Sequence, residues 1–541
     1  MRFCWEELTQ VRRCAIAVLL LAGPLGAQST ATVPARSRIY DVLEDVSAWY
    51  PRRGVVLGER SLSRRQVDAM LRRLAVAIDS APESARREWA RAQLAAASGF
   101  GPQVDEGGHE KRTLALAWRA DLIATDAVPE QVPSNSLGLI DAITPIQTNR
   151  FGWPEGRTIF SAAPTLVAGV QDWLAIGLEP RFSQSAGSQT DFVSEARLQR
   201  AYARGVVSNV AIRFGVDEMR WGQSPVGALF ISSNAAPMPA LSVGTDTCIT
   251  LPWLFRLAGP TRATAFLADL GRSQDPPHAK LAGWQITIQP WSRFELGVAV
   301  LAHTGGSGGP QATFLQRLVD LFPVIDAFAP QHADLQISNK LAGGNLRLRF
   351  PELSGLDVYY ELQIDDFDGR RLRSSLVDDA AHLLGARLPL LLRAGELTWR
   401  AEWHNTSLRL YEHAQFRSGV TYRDRIIGDP LGPNAKGGYL SATWQPTPVQ
   451  RLELSLADES RDPSLYLTTS NNARDEGFRF VRLTDDPRYR RRKARLAFDR
   501  PVAVGAVSLA IGYDRVWRTG GAARGEWLAA LAVRNQLFPS F

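Results

Sequence analysis

Six basic residues crowd one short stretch of the chain: Arg488, Arg490, Arg491, Arg492, Lys493 and Arg495. Side chains of an extended strand alternate between faces. Arg491, Lys493 and Arg495 therefore share one face, while Arg490 and Arg492 share the other with Ala494, Leu496 and Phe498. The chemistry is anion recognition, since a guanidinium grips a carboxylate or phosphate through two parallel hydrogen bonds and an ammonium acts as a point charge. A second set pairs other chemistries: Trp221 offers an aromatic face, Asn234 an amide, and Arg423 and Arg425 a two-pronged grip on carboxylates. The acidic pair Asp365 and Asp366 completes the candidate set, unless it pairs with Arg370, Arg371 or Arg425 and simply folds its own loop.

Catalysis finds little support in the residue pattern. The seven histidines are scattered, no HExxH or paired-cysteine spacing occurs, and Gly222-Gln223-Ser224-Pro225-Val226 lacks the second glycine of a nucleophile elbow. His404 shares a strand face with Glu402, a pair that reads as a satisfied polar contact. The expectation is a non-enzyme with no metal and no cofactor; a lipase or glycan hydrolase would need a nucleophile or carboxylate that no motif identifies.

The elements that position these residues are strands. In Leu356 to Asp365 every second residue is apolar or aromatic (Leu356, Val358, Tyr360, Leu362, Ile364) and the others are Asp357, Tyr359, Glu361, Gln363 and Asp365. The same period returns in Leu397, Trp399, Ala401 and Trp403, in Leu452, Leu454 and Leu456, in Trp284, Ile286 and Ile288, and in Leu509, Ile511 and Tyr513. Period-two segments separated by turn residues over several hundred positions are the cumulative signature of a transmembrane β-barrel. One strand alone also fits a soluble sandwich; recurrence decides. The parse predicts an all-β membrane barrel of about eighteen antiparallel strands across residues 111–541. Short turns fall at Gln171-Asp172, Pro290-Trp291-Ser292, Pro351 to Gly355, Arg393-Ala394-Gly395, Pro446-Thr447-Pro448 and Arg500-Pro501. The longer segments near 217–240, 304–335, 366–381, 407–436 and 459–487 then fall together at the opposite, outer end, and a last strand from Trp527 leads to a terminal aromatic, Phe541.

Residues 36–100 carry helical periodicity instead. Ser63 with Gln66 forms a capping box, Leu62 and Val67 a hydrophobic staple, and Val67, Met70, Leu71, Leu74 and Ile78 an apolar stripe. Ser80 with Glu83 repeats the cap, Pro82 stands in the first turn, and Gly99 ends the third helix. Residues 28–110 thus form a small helical segment expected in the periplasm. Before it, Arg2, Arg12 and Arg13, the apolar run Cys14 to Ala22 and small residues to Ala27 make residues 1–27 an export signal. Cys4 and Cys14 leave with that signal, so Cys248 stands alone and no intramolecular disulfide is expected.

The formal charge of +7 is a modest excess that suits an anionic ligand. Export and the dispersal of most basic residues argue against nucleic acid. With no run of ~20 apolar residues after the signal, a spanning form must be a closed barrel, which places the protein in an outer membrane. Arg490 and Arg492 then lie at or beyond the outer lipid boundary, within reach of lipopolysaccharide phosphates. Arg491, Lys493 and Arg495 face the lumen, where pairing with Asp357, Glu361 and Glu402 is favoured over a polysaccharide track.

Three outer segments resemble the Wzi-like capsule assembly family. The first runs Arg220-Trp221-Gly222-Gln223-Ser224-Pro225 through Ser232-Ser233-Asn234-Ala235-Ala236-Pro237, with Ala236 where arginine is usual. The second is Tyr360-Glu361-Leu362-Gln363-Ile364-Asp365-Asp366-Phe367, and the third Tyr422-Arg423-Asp424-Arg425-Ile426-Ile427-Gly428-Asp429-Pro430-Leu431-Gly432. Their order on a barrel-patterned chain extends the resemblance over nearly the whole mature protein. It implies an outer-membrane barrel, closed by helices at its periplasmic end, that binds surface or capsular polysaccharide and helps hold a capsule on the cell. The partners expected are that polysaccharide, outer-membrane lipid and lipopolysaccharide, with the protein a monomer. The rival reading is a porin or transport channel for anionic solutes.

Overall fold

Along Leu356–Asp365 the polar residues Asp357, Tyr359, Glu361, Gln363 and Asp365 are buried, while Leu356, Val358, Tyr360 and Leu362 are partly exposed. The inversion recurs: Leu509, Ile511 and Tyr513 are exposed and Asp514 is not, and Trp399 and Trp403 are exposed beside buried Glu402 and His404. In water such strands would turn their apolar face inward. Hydrocarbon outside and a polar bore inside satisfy both faces, as a membrane barrel requires.

The computed structural model describes residues 30–97 and 114–535, apart from 128–129, 134–138, 144–156, 171–172, 187–191, 310–312, 314–315, 317–320, 323–337, 366–379, 408–409, 414, 462–464, 470–477, 483–488, 504 and 519–520. The export signal at 1–27, Gly99, Asp366 and the terminal Phe541 lie outside the described residues. Eighteen strands form the wall: β1 (Leu114–Thr125), β2 (Thr158–Val170), β3 (Leu174–Ala186), β4 (Phe192–Val207), β5 (Val210–Val216), β6 (Pro239–Thr245), β7 (Pro260–Asp269), β8 (Lys280–Trp291), β9 (Phe294–Thr304), β10 (Ser338–Phe350), β11 (Leu356–Asp365), β12 (Ala380–Leu392), β13 (Gly395–Asn405), β14 (Ala435–Gln445), β15 (Arg451–Arg461), β16 (Tyr489–Val502), β17 (Gly505–Arg518) and β18 (Arg524–Arg534). Each pairs antiparallel with its sequence neighbours, and β1 pairs with β18 to close the cylinder. Among the described residues no helix is long and apolar enough to cross a membrane; the strands do so.

The expected turn positions hold at 351–355, 393–395 and 446–450, whereas β16 continues through Arg500 and Pro501 to Val502 and turns two residues later. Proline at a strand end removes one donor without stopping the ladder there. The parse gave no place to the connection 246–259, which is long although it lies at the short-turn end. It contains a 3₁₀ turn, Trp253–Ala258, packed beside the end of β8, with Trp253 86% exposed.

Three helices precede the wall: α1 (Ile39–Trp49), α2 (Arg64–Asp79) and α3 (Ala85–Ala97). Ser63 caps α2, its hydroxyl accepting from the Gln66 N–H at 3.2 Å, and Val67, Met70, Leu74 and Ile78 are buried as the stripe requires. Ser63→Ala is expected to lower stability by about 1 kcal/mol, read as a small fall in the unfolding midpoint in detergent. The second cap differs from expectation. Ser84, not Ser80, accepts from Arg87 N–H at 3.2 Å, and Pro82 stands outside the helix; Ser80 ends α2 instead.

These helices fill the short-turn end of the bore. Trp49 Nε1 donates to Ser354 O at 3.0 Å in the β10–β11 turn, and Trp89 Nε1 and Gln93 Nε2 reach the Glu396 carboxylate of β13 at 2.7 and 3.0 Å. Glu44 on α1 meets Arg60 and Arg400 at 2.9 Å each and Arg347 at 3.4 Å. Burial raises its carboxyl, but the guanidiniums of Arg400, Arg60, Arg347 and Arg387 outweigh that and hold it well below the usual carboxylate range.

Candidate functional site

The three motif segments, described over 220–237, 360–365 and 422–432, converge in space at the long-loop end of the bore. Segment 217–238 folds inward. Its Arg220–Trp221 forms a two-stranded antiparallel ladder with Glu59–Arg60, so chain entering from the short-turn end meets chain descending from the long-loop end. Gly222 N donates to Gly58 O at 2.9 Å. Gly222 has φ +134°, and a Cβ there would collide with Ala228 and the Glu361 carboxylate, so only glycine lets the loop come this close.

Glu361 of β11 holds the inward loop. Its carboxylate accepts the backbone N–H groups of Gln223 at 2.6 Å and of Ser224 and Leu229 at 2.9 Å each. The third segment packs on the first: Ser232 N donates to Ile427 O at 2.8 Å, Asn234 Nδ2 to Ile426 O at 3.0 Å, and Tyr411 Oη to Leu229 O at 2.6 Å. Tyr411 Oη also accepts from Asp429 N at 2.8 Å. His404 of β13 places Nδ1 2.6 Å from Asp429 and Nε2 3.0 Å from Glu402, while Ser224 Oγ and Tyr359 Oη donate to Glu402 at 2.5 Å each. Such a buried, multiply bonded polar network favours one arrangement.

This placement changes the roles of several candidate residues. Trp221 is fully buried, edge-on to Phe266 with ring centroids 5.1 Å apart, and Asn234 is 1% exposed. Neither side chain reaches solvent; both serve the packing of the inward loop. Asp365 is likewise buried and accepts the Tyr411 N–H, and Arg425 is buried on the second arm of a hairpin in which Tyr422 pairs with it. Arg423 alone of the six candidates is described and exposed, at the hairpin tip beside Asp424. Both tip residues have positive φ, 51° and 59°, a conformation that asparagine, aspartate or glycine usually fills. An arginine held there at a conformational cost stands out from the surface, its guanidinium 5.7 Å from the centre of the Tyr422 ring.

Two further exposed arginines border the hairpin. The β7–β8 loop, which carries exposed Arg272, docks on its base, Gln274 Nε2 donating to Thr421 O at 3.0 Å and Asp275 N to Ser418 Oγ at 2.7 Å, and exposed Arg417 directly precedes Ser418. Sequence reasoning missed Arg272 and Arg417 because neither lies in a motif segment; the docking of the β7–β8 loop on residues 418–421 is visible only in the fold.

The lumen cluster faces inward as parity predicts, but with other partners. Lys493 meets Glu459 at 2.5 Å, and Arg491 lies 3.9 Å from both Glu459 and Asp514. Strand order explains the difference, since Glu459 and Asp514 lie on the strands that flank β16, whereas Asp357, Glu361 and Glu402 belong to β11 and β13 and serve the plug. Lys493 and Arg495 also line a cavity of about 340 Å³ beside Arg387, Arg400, Glu44 and Glu402. Among the described residues no group of His, Cys, Asp and Glu is arranged to hold a metal ion.

A family model described as capsule assembly protein Wzi matches residues 144–519. A Klebsiella pneumoniae relative, described as an uncharacterized 55.8 kDa protein in the cps region, is 26% identical over 161 residues, which cover 30% of this chain and about a third of that protein, 31%. Among solved structures the chain is similar to Escherichia coli Wzi, described as an outer-membrane protein involved in group 1 capsule assembly and a carbohydrate-binding β-barrel. That likeness has a TM-score of 0.64 at 16% identity and covers 93% of this chain and 99% of that one, which establishes the fold. Pseudomonas aeruginosa OccD3 is more distant, with a TM-score of 0.43 at 10% identity over 79% of this chain and 92% of its own. An eighteen-strand closed cylinder, an apolar outer belt and one family match across most of its wall lead to the same statement: the chain is an outer-membrane β-barrel and belongs to the Wzi capsule assembly family.

Proposed function

We propose that this protein is a non-enzymatic surface anchor that binds acidic extracellular or capsular polysaccharide at its long-loop face and helps to assemble or hold it there. The observation that carries the reading is the division of labour among the motif segments: a buried network fixes the loops, and the fixed loops project Arg423 from a strained hairpin tip, with Arg417 and Arg272 exposed in the segments next to it in the chain or docked on its base. Rigid presentation lowers the ordering cost of gripping a polymer carboxylate. With the long loops outward, the helical plug faces the periplasm, and one protomer suffices.

The test is retention of acidic cell-surface polysaccharide by purified protein. Arg423→Ala is expected to weaken binding about tenfold, the worth of one charge-assisted contact, and Arg423→Ala with Arg417→Ala to weaken it further, both without a change in unfolding midpoint. Arg425→Ala, at a buried position, is expected to lower that midpoint instead. A wild-type protein that retains no glycan removes the reading; unaltered binding by the double variant removes only the site.

The cavity lined by Arg387, Arg400, Lys493 and Arg495 favours the rival reading, passage of anionic solutes. Conductance measurements distinguish the two, as argued in the Discussion.

A further inference from the structure

Three arginines stand on the outward face of the wall, where apolar residues are the rule. On β16, Phe498, Leu496 and Ala494 lead outward to Arg492 and Arg490; on β17, Leu509, Ile511 and Tyr513 lead to Arg515 and Trp517; on β15, Leu452, Leu454 and Leu456 lead to Asp458. The strand register sets these ends side by side, Asp458 opposite Arg492, Arg492 opposite Arg515, and Arg490 opposite Trp517. The change from greasy to charged thus occurs at one height on three adjacent strands, at the long-loop end.

The array is ordered before any ligand arrives. Asp458 accepts from Arg490 Nε at 2.9 Å and Nη2 at 2.6 Å, and from Arg492 Nε at 3.2 Å. The guanidiniums of Arg492 and Arg515 lie 5.5 and 5.2 Å from the Trp517 ring centre. One carboxylate and one indole thereby fix three guanidiniums that carry a net excess of two positive charges, and Arg490 and Arg492 remain 53% and 57% exposed. Beside them a groove of about 690 Å³ is lined by Leu440, Leu456, Ala494 and Tyr513 of the outward face, by Asp458, Arg492, Arg515 and Trp517, and, where it reaches through to the lumen side, by Glu402, Tyr439 and Lys493.

We infer that this groove is a binding site for a phosphorylated glycolipid of the outer leaflet, of the lipid A type: acyl chain against the apolar wall, phosphates against Arg490, Arg492 and Arg515. Spread guanidiniums on two strands match more than one phosphate. An acidic polysaccharide would satisfy the cations but has nothing to place on the leucines, and the outward parity puts those leucines and arginines against lipid rather than above the bore. The inference stands apart from the glycan site, since Arg423 belongs to a different surface.

The test uses full-length protein in detergent, wild type against Arg490→Ser/Arg492→Ser/Arg515→Ser, with bound lipid read by native mass spectrometry. Wild type is expected to retain bis-phosphorylated lipid A, and the triple variant to bind it at least about tenfold more weakly. Dephosphorylated lipid A should bind wild type as weakly as the triple variant binds the phosphorylated form, and inorganic phosphate should not displace the lipid. Asp458→Asn, which keeps an acceptor oxygen to hold Arg490 and Arg492 but removes the competing negative charge, should tighten binding. Equal affinity of wild type and triple variant for lipid A, loosened binding in Asp458→Asn, or displacement of lipid by acidic polysaccharide would each overturn the assignment. Heat-modified gel mobility reports barrel folding, and Asp458→Asn keeps the outcome decisive should the triple variant fail to fold.

Discussion

Glu361→Ala is expected to release the inward-folded segment 217–238 and to cost at least about 3 kcal/mol, because three backbone N–H groups lose their shared acceptor inside the bore. Water reaches such a site poorly, so the donors stay unsatisfied unless the loop moves. The loss should propagate, since Ser232 and Asn234 brace 426–428 and Tyr411 binds Leu229. Two readouts are expected to change together: a lower unfolding midpoint in detergent, and new protease cleavage between residues 217 and 238. Glu361→Gln, which keeps one acceptor oxygen, should fall between the variant and wild type. A Glu361→Ala protein as stable and as resistant as wild type would show that the loop is held by packing alone.

Glu44→Ala is expected to unseat the helical plug. The change leaves Arg60, Arg347 and Arg400 around an empty position, and breaking a buried ion pair costs about 3–5 kcal/mol because the remaining charges stay buried. In planar bilayers wild type is expected to give no large steady current and Glu44→Ala to give frequent openings; large steady currents from wild type would favour the solute channel over the anchor. The pH dependence follows from the direction of the carboxyl's shift. The folded value lies below the ordinary 4.5, so the stabilisation is complete above that pH and is lost as pH falls through the depressed value. Wild-type plug docking should therefore persist across the neutral range and weaken only in acid below about pH 4.5, read as protease access to residues 30–64, while Glu44→Ala should lack that acid step.

The wall was legible in the sequence because one physical rule generates it. A strand between lipid and a polar bore must alternate, and Leu356–Asp365 or Leu509–Asp514 cannot satisfy both media in any other register. The capped α2 was legible for a similar reason, its signals lying within one turn of Ser63. The Ser80 cap failed because Ser84 offers the same hydroxyl closer to the helical run, a choice local chemistry leaves open. The site was harder to read. Tryptophan, asparagine and arginine in a loop serve equally to hold a sugar or to fold the loop, and what decides is a partner far away in sequence: Glu361 for residues 223 to 229, Ile426 for Asn234. Motif order revealed that the three segments belong together. It carried no information on which side chains would turn inward, and Arg423 differs from Trp221 only through the hairpin that lifts it.

The seam between β1 and β18 joins Arg119 through Thr125 to residues 528–534 and completes a ring that already holds chain from its own N-terminus. Loop closure over some four hundred residues is slow by nature, and the segment 30–64 enters the closed ring through its short-turn end. The arginines that seat Glu44 stand on two separate strands, β10 and β13, so the plug's full set of ion pairs exists only where those strands have been assembled into one wall.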